Sequence, residues 1–518
     1  MNTSRRVLAG LALGAIAVGV LPAAASAADP NVVVTADGAL RGTEADGLRT
    51  FKGIPYAAAP VGDLRFRSPQ PAAEWDGVRD ATAPGGACAQ PAGLPVGVPT
   101  ANEDCLYLNV AAPARADDLP VIVWIHPADM IVGSGDIYGP SRLARDAVVV
   151  SMNYRLGVMG FLTDPSLDSG SVNGSGGLGI EDQQAALHWV RDNIGAFGGD
   201  TGNITIMGES GGGYGVCDQL ASPKAAGLFD RAIIESAPCG VGGGTRTRPE
   251  ALADSASVVS TVCGDAADVG ACLRGADGQA LVDAYGAWGS PRPVSGTPLL
   301  PLAPEEALRT GRFNRVPVLV GVNHDEANGM IGGMELAPGA TPIPPAGYRA
   351  AVEQYFGAAD ADRIVATYPL SAYGNSAGLA LATALTDRDW ALAAHDTATT
   401  LSKWTQTYMF ELARQETPWF NGYPTKPSFP VWSQHMAELP YIFDMRVTPG
   451  VDFFEPLTAE QALLGERMIC TWTRFAETGN PGWERVRAGD ANVRSIKPGR
   501  WVETDFARDH KLAFWRAL

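Results

Sequence analysis

An α/β fold, with a mostly parallel central sheet and helices on both faces, is predicted by two observations. Apolar, β-branched runs bounded by turn residues recur along the chain, and helical patterns lie between them. The runs are VIVWI at 121–125, AVVV at 147–150, ITIM at 204–207, AII at 232–234 and VPVLVGV at 316–322. They are nearly continuous rather than alternating, which suits strands covered on both sides. The clearest helical pattern runs from Glu181 through Trp189 to Phe197. Residues 240–315 and 330–402 break the rhythm and read as helical cap insertions over the sheet's edge. Residues 28–518 are therefore expected to form one domain with two insertions.

Composition narrows the function. The chain has 518 residues, 46% of them hydrophobic and 18% charged, so it can bury a large core and wholesale disorder is excluded. Lysine and arginine total 39 against 56 aspartates and glutamates, a formal charge of −17. Such a surface repels phosphate backbones and anionic lipid, so no nucleic-acid partner is expected. The N-terminus reads as a secretory signal over residues 1–27: MNTSRR, an apolar stretch at 7–21, then ASA at 25–27. The Arg5-Arg6 pair also fits twin-arginine export, with general secretion preferred. No later segment has the ~18 unbroken apolar residues of a membrane span. A secreted protein without an integral membrane segment, monomeric by default, is the expectation.

Seven cysteines suit an oxidising compartment, and an odd number leaves at least one thiol free. Cys88 and Cys105 are close in sequence, as are Cys263 and Cys272. Cys217 and Cys470 read as buried unpaired thiols, with Cys239 left over. No CxxC and no cysteine–histidine cluster at zinc spacing occurs, and no metal-protease motif appears.

Chemistry concentrates at ITIMGESGG, residues 204–212. A strand leads into G-x-S-x-G and then into a helical pattern from Gly213 to Leu220. That context holds a serine hydroxyl outward on a tight turn, with helix N–H groups aimed at the same place. Ser210 is therefore the candidate nucleophile. It needs a base oriented by an acid, and in this fold class the order is serine, acid, histidine. His126 and His188 precede Ser210 and drop out. Asp325 and Glu326, just after the run at 316–322, are the candidate acids. His435 fits the base by order and context, although spacing alone does not separate it from His395.

With these residues in hand, the chain resembles the type-B carboxylesterase (cholinesterase-like) family of α/β-hydrolases. The resemblance runs through FKGIPYA (51–57), PVGDLRF (60–66), EDCLYLNV (103–110), NYRLG (153–157), GIEDQ (179–183), FGGD (197–200) and the elbow at 208–212. It implies Ser210 as nucleophile, Glu326 as acid and His435 as base. It also implies disulfides Cys88–Cys105 and Cys263–Cys272, a structural ion pair Arg65–Glu103, and a polar residue behind the triad at Ser236. The implied reaction is hydrolysis of a small-molecule ester through an acyl-enzyme, with no metal or organic cofactor.

One motif departs from the family. After the strand at 121–125 the family usually has HGGG or HGGA; this chain has His126-Pro127-Ala128-Asp129-Met130. Carried over residue by residue, the oxyanion donors are the amides of Ala128, Asp129 and Gly211. Pro127 falls where no donor is needed. Glycines allow a backbone that Ala128 and Asp129 reach only at a cost, and a carboxylate at 129 brings like charge towards a developing oxyanion. Hydrolysis then requires the Asp129 side chain to point away while its amide still donates. The rival reading is a catalytically impaired member that serves as a binding or adhesion protein.

Overall fold

Every run read as a strand enters one eleven-stranded sheet in the computed structural model. The structure describes residues 29, 31–92, 97–240, 244–285, 291–448, 451–487 and 492–518. The expected signal segment lies outside the described residues. In chain order the sheet strands are β1 (Thr43–Ala45), β2 (Leu48–Pro55), β3 (Tyr107–Pro113), β4 (Leu119–Ile125), β5 (Val148–Met152) and β6 (Gly199–Glu209). They continue with β7 (Arg231–Glu235), β8 (Val318–Asn323), β9 (Thr407–Leu412), β10 (Val493–Ile496) and β11 (Val502–Thr504). Their spatial order is β11-β10-β9-β8-β7-β6-β4-β5-β3-β2-β1. Neighbours from β10 to β5 are all parallel. The pairs at the two edges are antiparallel.

The continuous apolar runs are explained by where alternate residues go. Val121, Val123 and Ile125 face one core cluster and Ile122 and Trp124 the other. The same division separates Val318, Val320 and Val322 from Leu319. On the first face lie α1 (Leu178–Asn193) and α2 (Ser210–Ala221), contributing Ile180, Leu187, Val190, Val216 and Leu220. On the second lies α3 (Ala459–Thr478), contributing Met468, Trp472 and Phe475. Burying each such large side chain contributes roughly 1.5–3 kcal/mol. The pattern predicted from Glu181 to Phe197 starts at Leu178 as a helix and tightens to a 3-10 turn at Ile194–Phe197, closed by Gly198 at φ 87°. Helix α3 opens on a reciprocal capping box of Thr458 and Gln461 and stops at left-handed Gly479.

Residues 240–315 carry the helices Arg248–Cys263, Val269–Gly275, Gly278–Tyr285 and Pro304–Thr310. The first three join Phe66 and Leu162 in a satellite cluster through Val258, Leu273 and Leu281, whereas Ala307 and Leu308 of the fourth enter the main core. Another cluster gathers Ile331, Tyr348, Val352, Ile364 and Leu381 from the helices between 328 and 401. Arg65 joins Glu103 through two bonds of 2.7 and 2.5 Å and also donates to the Arg274 carbonyl. That ion pair therefore fastens the satellite helices to the N-terminal part of the chain.

Three disulfides are present. Cys88–Cys105 and Cys263–Cys272 form the pairs implied by the resemblance. Cys217 is not an unpaired thiol: it bonds to Cys239. Position 217 lies on the inward side of α2, and the chain leaving β7 passes against that side, a proximity set by the tertiary fold. Cys470 is free but exposed rather than buried, because it falls on the outward side of α3. No helix among the described residues is long and apolar enough to cross a membrane.

Candidate active site

Parallel strands leave their C-terminal ends on one edge, and the chemistry collects there. Ile125, Gly208 and Glu209, Glu235 and Gly321 are in register across β4, β6, β7 and β8. Ser210 follows Glu209 and opens α2 with φ 51°, a left-handed conformation that costs a residue with a Cβ about 1–2 kcal/mol. The flanking glycines are what allow it. A Cβ on Gly208 would stand 2.4 Å from the Gly212 carbonyl group, and one on Gly212 would stand 1.9 Å from the Ile125 oxygen. Both positions accept hydrogen alone. Glu209 at the N-cap makes no side-chain cap, so the first amides of α2 are left to the site.

The histidine and acid left open by spacing are distinguished by their partners. His435 Nδ1 donates to Glu326 Oε2 at 2.7 Å. Glu326 is itself held: Oε1 accepts the Asn323 amide at 2.7 Å, and its carbonyl accepts the His435 amide at 3.1 Å. Asp325 turns elsewhere, to Arg414 at 2.9 Å and His324 at 3.2 Å. His395 lies against Asp396 and Arg516. On its other side, His435 Nε2 stands 3.3 Å from Glu209 Oε1, which brings the ring beside the residue preceding Ser210.

The imidazole sits in an unusually acidic interior. Glu209, Glu235, Glu326 and Glu438 are all buried. Burial opposes a charge on His435, but the carboxylates of Glu209 and Glu326 outweigh it and hold the imidazole up at about 10. Burial drives the Glu209 carboxyl well above its usual range. Burial and Glu326 push Glu438 up to about 7, although it accepts a bond from Asn323. Burial and Glu438 raise Glu235, which takes a 2.7 Å bond from Trp472. Ser236, at φ 50°, lies behind this group with its hydroxyl 3.5 Å from Glu438. Of the tryptophans, Trp390 approaches His435, with ring centroids 6.1 Å apart. Trp404 and Trp432 instead sit under Arg315 and Arg414.

The altered loop takes up its backbone shape without glycine. Ala128, Asp129 and Met130 have φ values of 75°, 59° and 61°. Each carbonyl of this strained run is received: Ala128 by the Ile131 amide, Asp129 by Arg292, and Met130 by the Gly157 amide. A Cβ on Gly211 would meet the Asp129 nitrogen at 2.5 Å and the Met130 nitrogen at 2.9 Å. The backbone of Asp129 and Met130 is thus packed against Gly211 in the first turn of α2. Among the described residues, no acceptor is bonded to the amides of Asp129 or Met130. The Asp129 carboxylate is bonded to Arg292 at 2.7 Å. His126, fully buried and stacked on Tyr154, is held neutral by burial, its value lowered to about 4.

Among the described residues, His324, Glu411 and His510 bring possible ligand atoms within 4.8 Å of one another. Both His510 nitrogens are bonded at 2.6 Å, to Asp387 and Glu411, which makes the group an ion-pair knot. A metal would have to displace those bonds.

The sequence profile described as the Carboxylesterase family matches residues 29–515. The chain belongs to the carboxylesterase family. The carboxylesterase is 33% identical over 484 residues to the para-nitrobenzyl esterase of Bacillus subtilis (strain 168), covering 88% of this chain and 91% of that one. It is also 33% identical to the cocaine esterase of Oryctolagus cuniculus, with 86% of each chain covered. A solved structure of a PNB esterase superposes with a TM-score of 0.75 at 30% identity, covering 93% of this chain and all of that one. The fold is that of the α/β-hydrolases and the activity is ester hydrolysis by a serine carboxylesterase. Sequence reasoning missed Arg292, Glu235 and the Cys217–Cys239 bond. Glu438 lay in plain view three residues after His435, and a buried acid there could have been anticipated.

Proposed function

We propose that the protein is an exported esterase that cleaves small to medium uncharged esters through a covalent acyl-enzyme. The 2.7 Å bond from His435 to Glu326, with His435 Nε2 3.3 Å from the Glu209 that precedes the strained Ser210, carries this reading. Ser210 is the nucleophile, His435 the base and Glu326 the acid. His435 Nε2 takes the Ser210 proton as Oγ adds to the ester carbonyl, and Glu326 stabilises the imidazolium. The carbonyl oxygen becomes an oxyanion facing the amides of Ala128, Asp129 and Gly211. Collapse expels the alcohol, which takes the proton from His435. Water then adds to the acyl-enzyme by the same route and releases the acid. The signal expected at 1–27 and the disulfides, which suit an oxidising compartment, support export. No metal or organic cofactor enters this scheme.

The relatives named for a para-nitrobenzyl ester and for cocaine support a neutral-ester probe. The purified chain should hydrolyse p-nitrophenyl acetate and butyrate, and Ser210→Ala should lower kcat by at least ~10⁴-fold. An organophosphate should label the wild type at Ser210 and leave the variant unlabelled. Equal turnover by the two chains would remove the catalytic reading and leave a binding role.

A further inference from the structure

The altered loop carries an acid where a developing oxyanion demands the opposite charge. Its carboxylate is not buried; the Asp129 side chain keeps 47% of its exposure, so burial does not fix its direction. A cation does. The Arg292 side chain, only 6% exposed, donates from Nη2 to Asp129 Oδ1 at 2.7 Å and from Nη1 to the Asp129 carbonyl at 3.4 Å. The guanidinium is itself oriented, because Nη1 also donates to the Pro291 carbonyl at 2.7 Å. Prolines on both sides of Arg292 restrict its backbone, and Val294 bridges to Arg246.

These contacts do two separate things. The side-chain bond gives the negative charge a buried counter-ion. The carbonyl bond holds the middle residue of a left-handed run that is strained for residues with a Cβ. The charge of Arg292 also reaches α2, where it lowers the carboxyl of Asp218 that burial otherwise raises. It therefore acts on both the loop and the helix that pack together at Asp129 and Gly211.

We infer that Arg292 is a positioning residue for the oxyanion hole, holding Asp129 with its carboxylate outward and its amide towards the site. In this chain an ion pair does the work for which two glycines would suffice. The inference rests on the ester-hydrolysis mechanism proposed above and adds a residue to it from outside the triad.

The test is kinetic. Arg292→Gln should lower kcat for p-nitrophenyl butyrate by at least about tenfold, within the ~10²–10³ that loss of one oxyanion donor costs, while KM changes less than threefold. Arg292→Lys, which keeps the charge without the fork, should fall between the two and serves if the glutamine variant does not fold. Asp129→Asn combined with Arg292→Gln should recover most of the loss, since the stranded carboxylate is gone; a merely structural arginine would not be rescued this way. Wild-type kcat in both arginine variants, or a double variant no faster than Arg292→Gln, overturns the inference while the esterase reading stands. A wild type no faster than Ser210→Ala overturns both.

Discussion

Glu209 is the residue on which the pH behaviour turns. It is fully buried, has no hydrogen-bond partner on either carboxylate oxygen among the described residues, and lies 3.3 Å from His435 Nε2, the nitrogen proposed to receive the serine proton. An ionised Glu209 favours the imidazolium and so works against a free base. The acid limb of kcat/KM should consequently lie above the ordinary histidine value near 6.5, in the direction of the raised His435. Glu209→Gln should move that limb to lower pH, read from a pH–rate profile; an unmoved limb would show that Glu209 is neutral throughout. In the sequence the G-x-S-x-G motif singles out Ser210, order and context favour His435, and only the resemblance chooses Glu326 over Asp325. The distinction between Glu326 and Asp325 was not legible from spacing. It depends on which carboxylate Arg414 and His324 engage.

At the level of elements, the elbow joins β6 to α2 with no room for side chains at Gly208 and Gly212. Gly212→Ala should force strand and helix apart and abolish organophosphate labelling while far-ultraviolet circular dichroism still reports folded chain. Helix α2 is further tied to the segment after β7 by Cys217–Cys239, partners separated by 22 positions in the sequence. In the chain-entropy account such a loop contributes about 3 kcal/mol. Cys217→Ser with Cys239→Ser should lower the unfolding midpoint by several degrees, and an unchanged Tm would show that the bond adds nothing. The strands were readable because buried parallel strands are apolar throughout. This disulfide was not, because which side of α2 meets the chain beyond β7 is decided by packing. The same holds for Arg292: nothing near it in sequence announces that it will meet Asp129, 163 residues away.

For the molecule as a whole, buried ionisable groups set how stability depends on pH. His510 is clasped between Asp387 and Glu411; burial opposes its charge, but the two carboxylates prevail and hold it up at about 10. This knot ties the C-terminal turn to β9 and to the helical segment around 387, with Tyr368 donating to the same aspartate. A group whose folded pKa is raised adds stability that is complete below its unfolded value and lost as pH rises to the folded one. For His435 and His510 that window is 6.5 to about 10, and for Glu438 it is 4.5 to about 7. Unfolding free energy should therefore decline from mildly acid to alkaline pH. Replacing His510 with Gln should make the decline above pH 7 shallower, by up to ~1.4 kcal/mol per pH unit for one proton. Parallel slopes for the two chains in urea titrations at pH 7, 8 and 9 would contradict this account.

The bond between residues 129 and 292 also makes the loop non-portable. Grafting PADM behind the histidine of a glycine-bearing esterase would import an acid without its counter-ion. Grafting the proline-flanked arginine alone would import a cation with no acid to receive it. The two segments form a transplantable set, and among homologues an acidic residue at the first site should travel with an arginine at the second.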